Sequence, residues 1–294
     1  MKKWYSDYGL QARMLLTMFL LAVVYLFFLA ILSSYGNVGT SGLVIFAGFF
    51  FMIQYFFSDK LALWSMGGRI VTEDEEPRLH ETISRLCAIA DLPKPQVAIV
   101  DSSVPNAFAT GRSQSSAVVA VTTALRQRLS QAELEAVLAH ELSHIKNRDM
   151  LVITIASFLS TVAFFLVRNM MFFQPRGRDR NGANAALLVW LVSVVVWILS
   201  FLLIRALSRY REFSADRGSA VITGQPANLA SALMTISGVM ERVPSRDLRE
   251  IEGMNAFFII PAVTNISITN LFSTHPPVEA RIRALSEMEQ RMEF

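Results

Sequence analysis

The sequence predicts an α-rich α+β protein. Four membrane-spanning helices form two hairpins, and the segments beside them build a domain with a small β-sheet. Three observations lead there. Hydrophobic residues make up 53% of the 294 positions and charged residues only 17%, where an ordinary soluble domain carries about 25% charged residues. The missing charge is concentrated in four long apolar stretches, two in succession near the N-terminus and two in succession beyond the middle. Between those pairs, shorter apolar runs switch between strand and helix spacing.

A spanning helix needs about 20 mostly apolar residues. Residues 14–34 meet this without a charge, and after the turn Tyr35-Gly36-Asn37 so do residues 38–57. Residues 1–57 are therefore read as an N-terminal hairpin. Lys2 and Lys3 precede its first run as in a signal peptide. That run exceeds the usual length of about 7–15 residues, however, and a second span follows at once, so the anchor is expected to be uncleaved. Residues 150–173 are the third stretch, with Arg168 near one end where its side chain can reach the headgroups. Residues 185–204 are the fourth, so 150–204 forms the second hairpin.

Charge places these spans. Lys2, Lys3 and Arg13 precede the first, and the turn over 35–41 carries none. The excess of basic residues on cytoplasmic loops then sets the N-terminus inside. Four spans put 58–149 and 205–294 in the cytoplasm and 174–184 outside. Arg176, Arg178 and Arg180 in that outer loop are outnumbered by Lys60, Arg69, Lys146, Arg148, Arg205, Arg209 and Arg211. The net charge is +3, but the basic residues flank the apolar stretches instead of forming one stripe. They fit lipid headgroups and not nucleic acid. Cys87 is the only cysteine, which excludes an intrachain disulfide and a cysteine-rich zinc knuckle.

In 58–149, Pro77 opens a helix through Ile89, closed by Asp91-Leu92-Pro93. Residues 96–100, 106–111 and 117–122 read as short strands. A further helix starts where Ser130 and Glu133 form a capping box. Leu134, Val137, Leu138, Leu142 and Ile145 then recur at helical spacing and define its core-facing stripe.

On that helix sits His140-Glu141-Leu142-Ser143-His144. A spacing of four stacks two imidazoles on one helix face, so both can reach a single zinc ion about 2.0–2.1 Å away. Glu141 points to the neighbouring side, where a carboxylate serves as general base for a water that the metal activates. A catalytic zinc needs a third protein ligand and an open position. Glu212 and Asp216 share a face on the helical continuation of the fourth span. Glu212 can ligate while Asp216 accepts the second N–H of a ligating histidine. Spacing alone equally allows a charged helix face laced with Arg209, Arg211 and Arg217. Of the remaining histidines, His80 lies among charged neighbours and is expected on a solvated face. His275 precedes Pro276-Pro277, which open a last helix through Arg281 and Arg283. It either stabilises the oxyanion of a tetrahedral intermediate or fixes that turn.

Four separated segments, His140–Met150 (HELSHIKNRDM), 106–111 (NAFATG), 212–216 (EFSAD) and 273–277 (STHPP), together resemble the HtpX family of membrane zinc peptidases, relatives of the CAAX-prenyl endopeptidases. The match runs in order over nearly the whole chain, hairpins included. The resemblance implies a zincin-like peptidase domain assembled from 58–149 and 205–294. In it one zinc is bound by His140, His144 and Glu212, and Glu141 is the base. It further implies that Asn106, Ala107, Phe108, Ala109, Thr110 and Gly111 form an edge strand that pairs with the substrate backbone. The implied substrates are damaged membrane proteins, in a stress-linked quality-control role at the cytoplasmic face of the cell membrane.

Two other classes fit the sequence less well. In an intramembrane protease the HExxH motif lies inside a span. Here Gln131, Glu133 and Glu135 precede it and Lys146, Arg148 and Asp149 follow, which places the helix outside the hydrocarbon core. A non-catalytic membrane scaffold with a structural zinc needs ligands but no base, and Glu141 argues against it.

Overall fold

The computed structural model describes residues 8–35, 63–168, 180–240 and 275–292, with positions 48, 49, 52 and 259. In chain order the elements are α1 (Tyr8–Tyr35), β1 (Gly68–Ile70), α2 (Pro77–Ala90), β2 (Gln96–Val100), β3 (Ala107–Thr110), β4 (Val118–Thr122), α3 (Thr123–Arg128), α4 (Gln131–Lys146), α5 (Asp149–Arg168), α6 (Arg180–Thr223), α7 (Pro226–Met240) and α8 (Val278–Met292). The chain divides into two compact units. Tyr8–Phe57 with Val152–Leu207 makes an apolar unit, and Ser58–Leu151 with Ser208–Phe294 makes most of the other.

In the apolar unit, Tyr25, Phe28 and Leu32 of α1 pack with Ala156 and Ala163 of α5 and Val196 of α6. The Tyr25 hydroxyl donates to the Ala156 carbonyl, which satisfies a polar group inside this apolar layer. Leu15, Phe19, Leu26 and Phe27 on α1, and Leu191, Val195 and Ile198 on α6, stay exposed. Apolar area of that extent suits a lipid environment. Among the described residues two helices are long and apolar enough to cross a membrane, Tyr8–Ser34 and Asn184–Thr223. They contain the first and fourth predicted spans. Of the third, α5 meets that test only jointly with α4, from which it is sharply bent. The second span, 38–57, lies outside the described residues apart from positions 48, 49 and 52.

The other unit is built on a four-stranded sheet in the order β1-β2-β4-β3. β2 and β4 run parallel, while β1 and β3 are antiparallel edge strands. Side chains alternate between its faces, as strand geometry requires. Val97, Val119 and Val121 join Ile83 and Leu86 of α2, Val137, Leu138 and Leu142 of α4, Leu229 and Leu233 of α7 and Leu285 of α8 in the main core. Ala98, Val100, Phe108 and Ala120 form a small cluster on the opposite face. The strands predicted at 96–100, 106–111 and 117–122 are present, the last two shorter by one or two residues. β1 escaped prediction because three residues, Gly68-Arg69-Ile70, are too few to show a period.

The capping box forms as predicted. Ser130 Oγ accepts from the Glu133 amide at 3.3 Å, and Glu133 Oε2 accepts from the Ser130 amide at 2.9 Å. Glu133 Oε1 also accepts from the Ser231 hydroxyl at 2.6 Å, which ties α7 to the first turn of α4. Where β3 ends, Gly111 has φ +137, and a Cβ there would stand 2.6 Å from the Ala117 Cα. Only glycine fits that exit from the strand.

His80 departs from its expected solvated position. It is 8% exposed, and its Nε2 lies 3.0 Å from the Val71 carbonyl oxygen. The reason is its place on α2, directly beside the buried stripe of Leu79, Ile83, Leu86 and Cys87. The ring fills apolar space and its polar tip finds a backbone partner.

Candidate metal centre

α4 carries His140 and His144 into the interior, and α6 brings Glu212 against them. The crossing is fixed locally by Ser219 of α6, whose hydroxyl donates to the Ala136 carbonyl of α4 at 2.7 Å. His140, Glu141, Glu212 and Asp216 are all buried. The candidate ligand atoms of His140, His144 and Glu212 lie within 4.8 Å of one another. The two Nε2 atoms are 3.1 Å apart. Glu212 Oε1 lies 3.4 Å from His144 Nε2, and its Oε2 3.7 Å from His140 Nε2.

Each imidazole has a carboxylate on its other nitrogen. His140 Nδ1 is 3.0 Å from Asp216 Oδ1, and His144 Nδ1 is 2.6 Å from Asp149 Oδ2. An ionised carboxylate only accepts, so the ring proton of each neutral histidine belongs on Nδ1. Both Nε2 lone pairs then point at one small volume together with the Glu212 carboxylate. Two lone pairs and an anion converging there are the donor set of a divalent cation with nitrogen and oxygen ligands.

The electrostatics agree. Burial works against charging His140, but hydrogen bonds to Asp216 and Glu212 outweigh it and raise its pKa. His144 behaves alike, with burial opposed by Glu212 and Glu141. The site favours positive charge at this point. Burial pushes the Glu141 carboxyl up, while His140 and His144 draw it part of the way back. The Ala109 amide of edge strand β3 also hydrogen-bonds to Glu141.

Three further residues belong to this cluster: Arg281 and Arg211 lie outside the motif segments, and Asp149 lies within 140–150 but had no role assigned from sequence. Arg281 of α8 is 1% exposed. It donates to both Asp216 oxygens, from Nε at 2.9 Å and Nη2 at 2.6 Å, and from Nη1 to the Ile259 carbonyl at 2.9 Å. Its Nη1 also lies 3.3 Å from Glu212 Oε2. Asp216 and Glu212 keep it charged against the burial penalty. One sign of it was legible, since Arg281 occupies the apolar stripe that Val278, Ile282 and Leu285 define on α8. The other two are Asp149 and its ion-pair partner Arg211. In an unbroken helix Asp149, five residues past His144, would point away from it.

His275 is buried with Nδ1 3.1 Å from Glu212 Oε2. Asn106, expected on the substrate strand, is fully buried and held within the fold. Its amide donates to Thr122 Oγ1 at 2.8 Å, and its Oδ1 accepts from the Ile259 amide at 3.1 Å. Ala107, Phe108, Ala109 and Thr110 form edge strand β3. Ala109, Thr110 and Gly111 face His144, Arg148 and Asp149 across a cleft.

Comparisons with known proteins accord with this geometry. Residues 73–289 match Peptidase family M48. "Protease HtpX homolog 2" of Methanosarcina mazei is 68% identical over 292 residues, covering 99% of each chain. "Protease HtpX homolog" of Moorella thermoacetica is 58% identical, covering 98% of this chain and 97% of that protein. The crystal structure of S. mikatae Ste24p shares the fold with a TM-score of 0.56 at 20% identity, over 94% of this chain and 66% of that one. The chain belongs to peptidase family M48 and is a metalloprotease.

Proposed function

We propose that this protein is a zinc-dependent endopeptidase of the HtpX type that cleaves misfolded or damaged membrane proteins at the cytoplasmic face of the cell membrane. The observation that carries this is the convergence of His140 Nε2, His144 Nε2 and the Glu212 carboxylate on one point, beside Glu141 and an edge strand. Zinc held there by His140, His144 and Glu212 supplies Lewis acidity, which lowers the pKa of water and polarises a carbonyl. The residues do the rest. Glu141 takes the proton of the attacking water and returns it to the leaving amine, a task suited to a buried carboxylate with a raised pKa. β3 holds the substrate backbone in extended form along its outer edge. His275 steadies the oxygen on which charge develops.

The exposed apolar faces of α1 and α6, on helices long and apolar enough to cross a membrane, support membrane residence. Substrates presented by the same membrane are then the natural ones. The test uses the full chain in proteoliposomes with a membrane-tethered unfolded segment and the same segment free, each with and without a chelator. Faster cleavage of the tethered form, abolished by the chelator, is expected. Equal rates would remove the preference for membrane substrates, and chelator-resistant cleavage would remove the metal.

Four spans in two hairpins remain the proposed topology, with 58–149 and 205–294 as the two halves of a cytoplasmic peptidase domain. Single cysteines at Arg178, Arg112 and Ser245 test it in intact cells. Labelling from outside should reach position 178 and neither of the others. Equal labelling of all three would mean that the second hairpin does not cross.

A further inference from the structure

We propose that Asp149 and Arg211 are positioning residues for His144, with Arg211 acting through Asp149. This inference rests on the metal site proposed above. Helix α4 ends at Lys146, and Arg148 then takes a left-handed conformation with φ 55. That is uncommon for a residue with a side chain. Without this break Asp149 would lie on the far side of the helix from His144. With it, the chain bends and the Asp149 carboxylate stands 2.6 Å from His144 Nδ1.

The turn is held from α6 at three points. Arg211 pairs with the Asp149 carboxylate. The same guanidinium donates from Nη2 to the Asn147 carbonyl at 3.2 Å, and Asn147 Nδ2 donates to Ser214 Oγ at 3.3 Å. Asp149 and Arg211 are 5% and 4% exposed, so this ion pair is screened from water and its geometry is constrained. The carboxylate oxygen against Nδ1 fixes the ring's orientation and leaves Nε2 facing His140 Nε2 and the Glu212 carboxylate. Arg211 also precedes Glu212 in the chain. The segment that offers the third ligand thus orients the partner of the second. Sequence distance hides this arrangement, because 62 positions separate Asp149 from Arg211.

The effect is read as zinc affinity of the purified full chain in detergent, by competition with a chromophoric chelator. Asp149→Ala is expected to weaken zinc about 10–100-fold, as loss of a carboxylate behind a ligating histidine does. Asp149→Asn keeps an oxygen for Nδ1 but loses the charge facing Arg211, so it should lose less. Arg211→Gln should weaken zinc, and adding it to Asp149→Ala should cost little more, since residues that act through one another are not additive. Thermal unfolding of the metal-free proteins runs alongside. A merely structural Asp149 would lower that unfolding temperature and leave the zinc affinity of folded protein at the parent value, which overturns the proposal. Additive losses in the double variant overturn the route through Asp149. If Asp149→Ala does not fold, parent-like affinity in Asp149→Asn and Arg211→Gln overturns it equally. A parent chain that binds no zinc would instead remove the metal-site reading beneath it.

Discussion

Glu141→Gln is expected to keep the parent's zinc content and lose peptide hydrolysis by about 10²–10⁴-fold, the usual contribution of a positioned general base. The two halves of that expectation have separate causes. Glu141 is absent from the cluster whose ligand atoms converge, which comprises His140, His144 and Glu212, so the metal loses no ligand. The amide is nearly isosteric and still offers an oxygen to the Ala109 amide, so the contact between α4 and β3 survives. The variant loses the ability to take up a proton. Buried near His140 and His144, with its pKa raised by desolvation, Glu141 is placed to accept a proton and release it again. Metal analysis and turnover on the same preparation check both halves. Turnover near the parent's would take the base away from Glu141, and loss of zinc would mean that it supports the ligands.

How far the sequence displayed all this depends on the range of each interaction. The capping box of Ser130 and Glu133 and the histidines at 140 and 144 are local, and periodicity alone puts them on one helix. Strands β2, β3 and β4 were legible for the same reason, whereas β1 is too short to carry a pattern. The partners across the site were less visible. Asp216 was accessible through its spacing from Glu212. Asp149 was not, because a left-handed residue at 148 reverses the geometry that helical spacing assumes. Arg281 left one trace, a charge on an apolar stripe, which is explained only when Asp216 and the Ile259 carbonyl are seen around it. His80 shows the opposite error. Its neighbours in sequence are charged, but its neighbours in space are the core stripe of α2 and the Val71 carbonyl.

Glu212→Gln should strip the metal during purification, while Asp216→Asn should weaken it about 10–100-fold in a manner that added zinc partly rescues. The contrast follows from what each carboxylate touches. Glu212 lies within 3.4 and 3.7 Å of the two Nε2 atoms and supplies the only negative charge among the three converging groups. A neutral amide there removes one ligand of three, and the remaining pair of imidazoles holds zinc orders of magnitude less tightly. Asp216 stands one step back, 3.0 Å from His140 Nδ1 and bonded twice to Arg281. As Asn it still presents an oxygen to Nδ1 but cannot receive both guanidinium donors, so His140 keeps its place less firmly. Part of the loss is therefore recoverable by mass action. Exposed Glu287 on α8 is the control, and Glu287→Gln should match the parent in zinc content and turnover. Metal analysis of the three variants beside the parent, before and after zinc addition, decides the matter. One zinc per chain and full activity in Glu212→Gln would send the search for a third ligand to His275, whose Nδ1 already lies 3.1 Å from Glu212 Oε2.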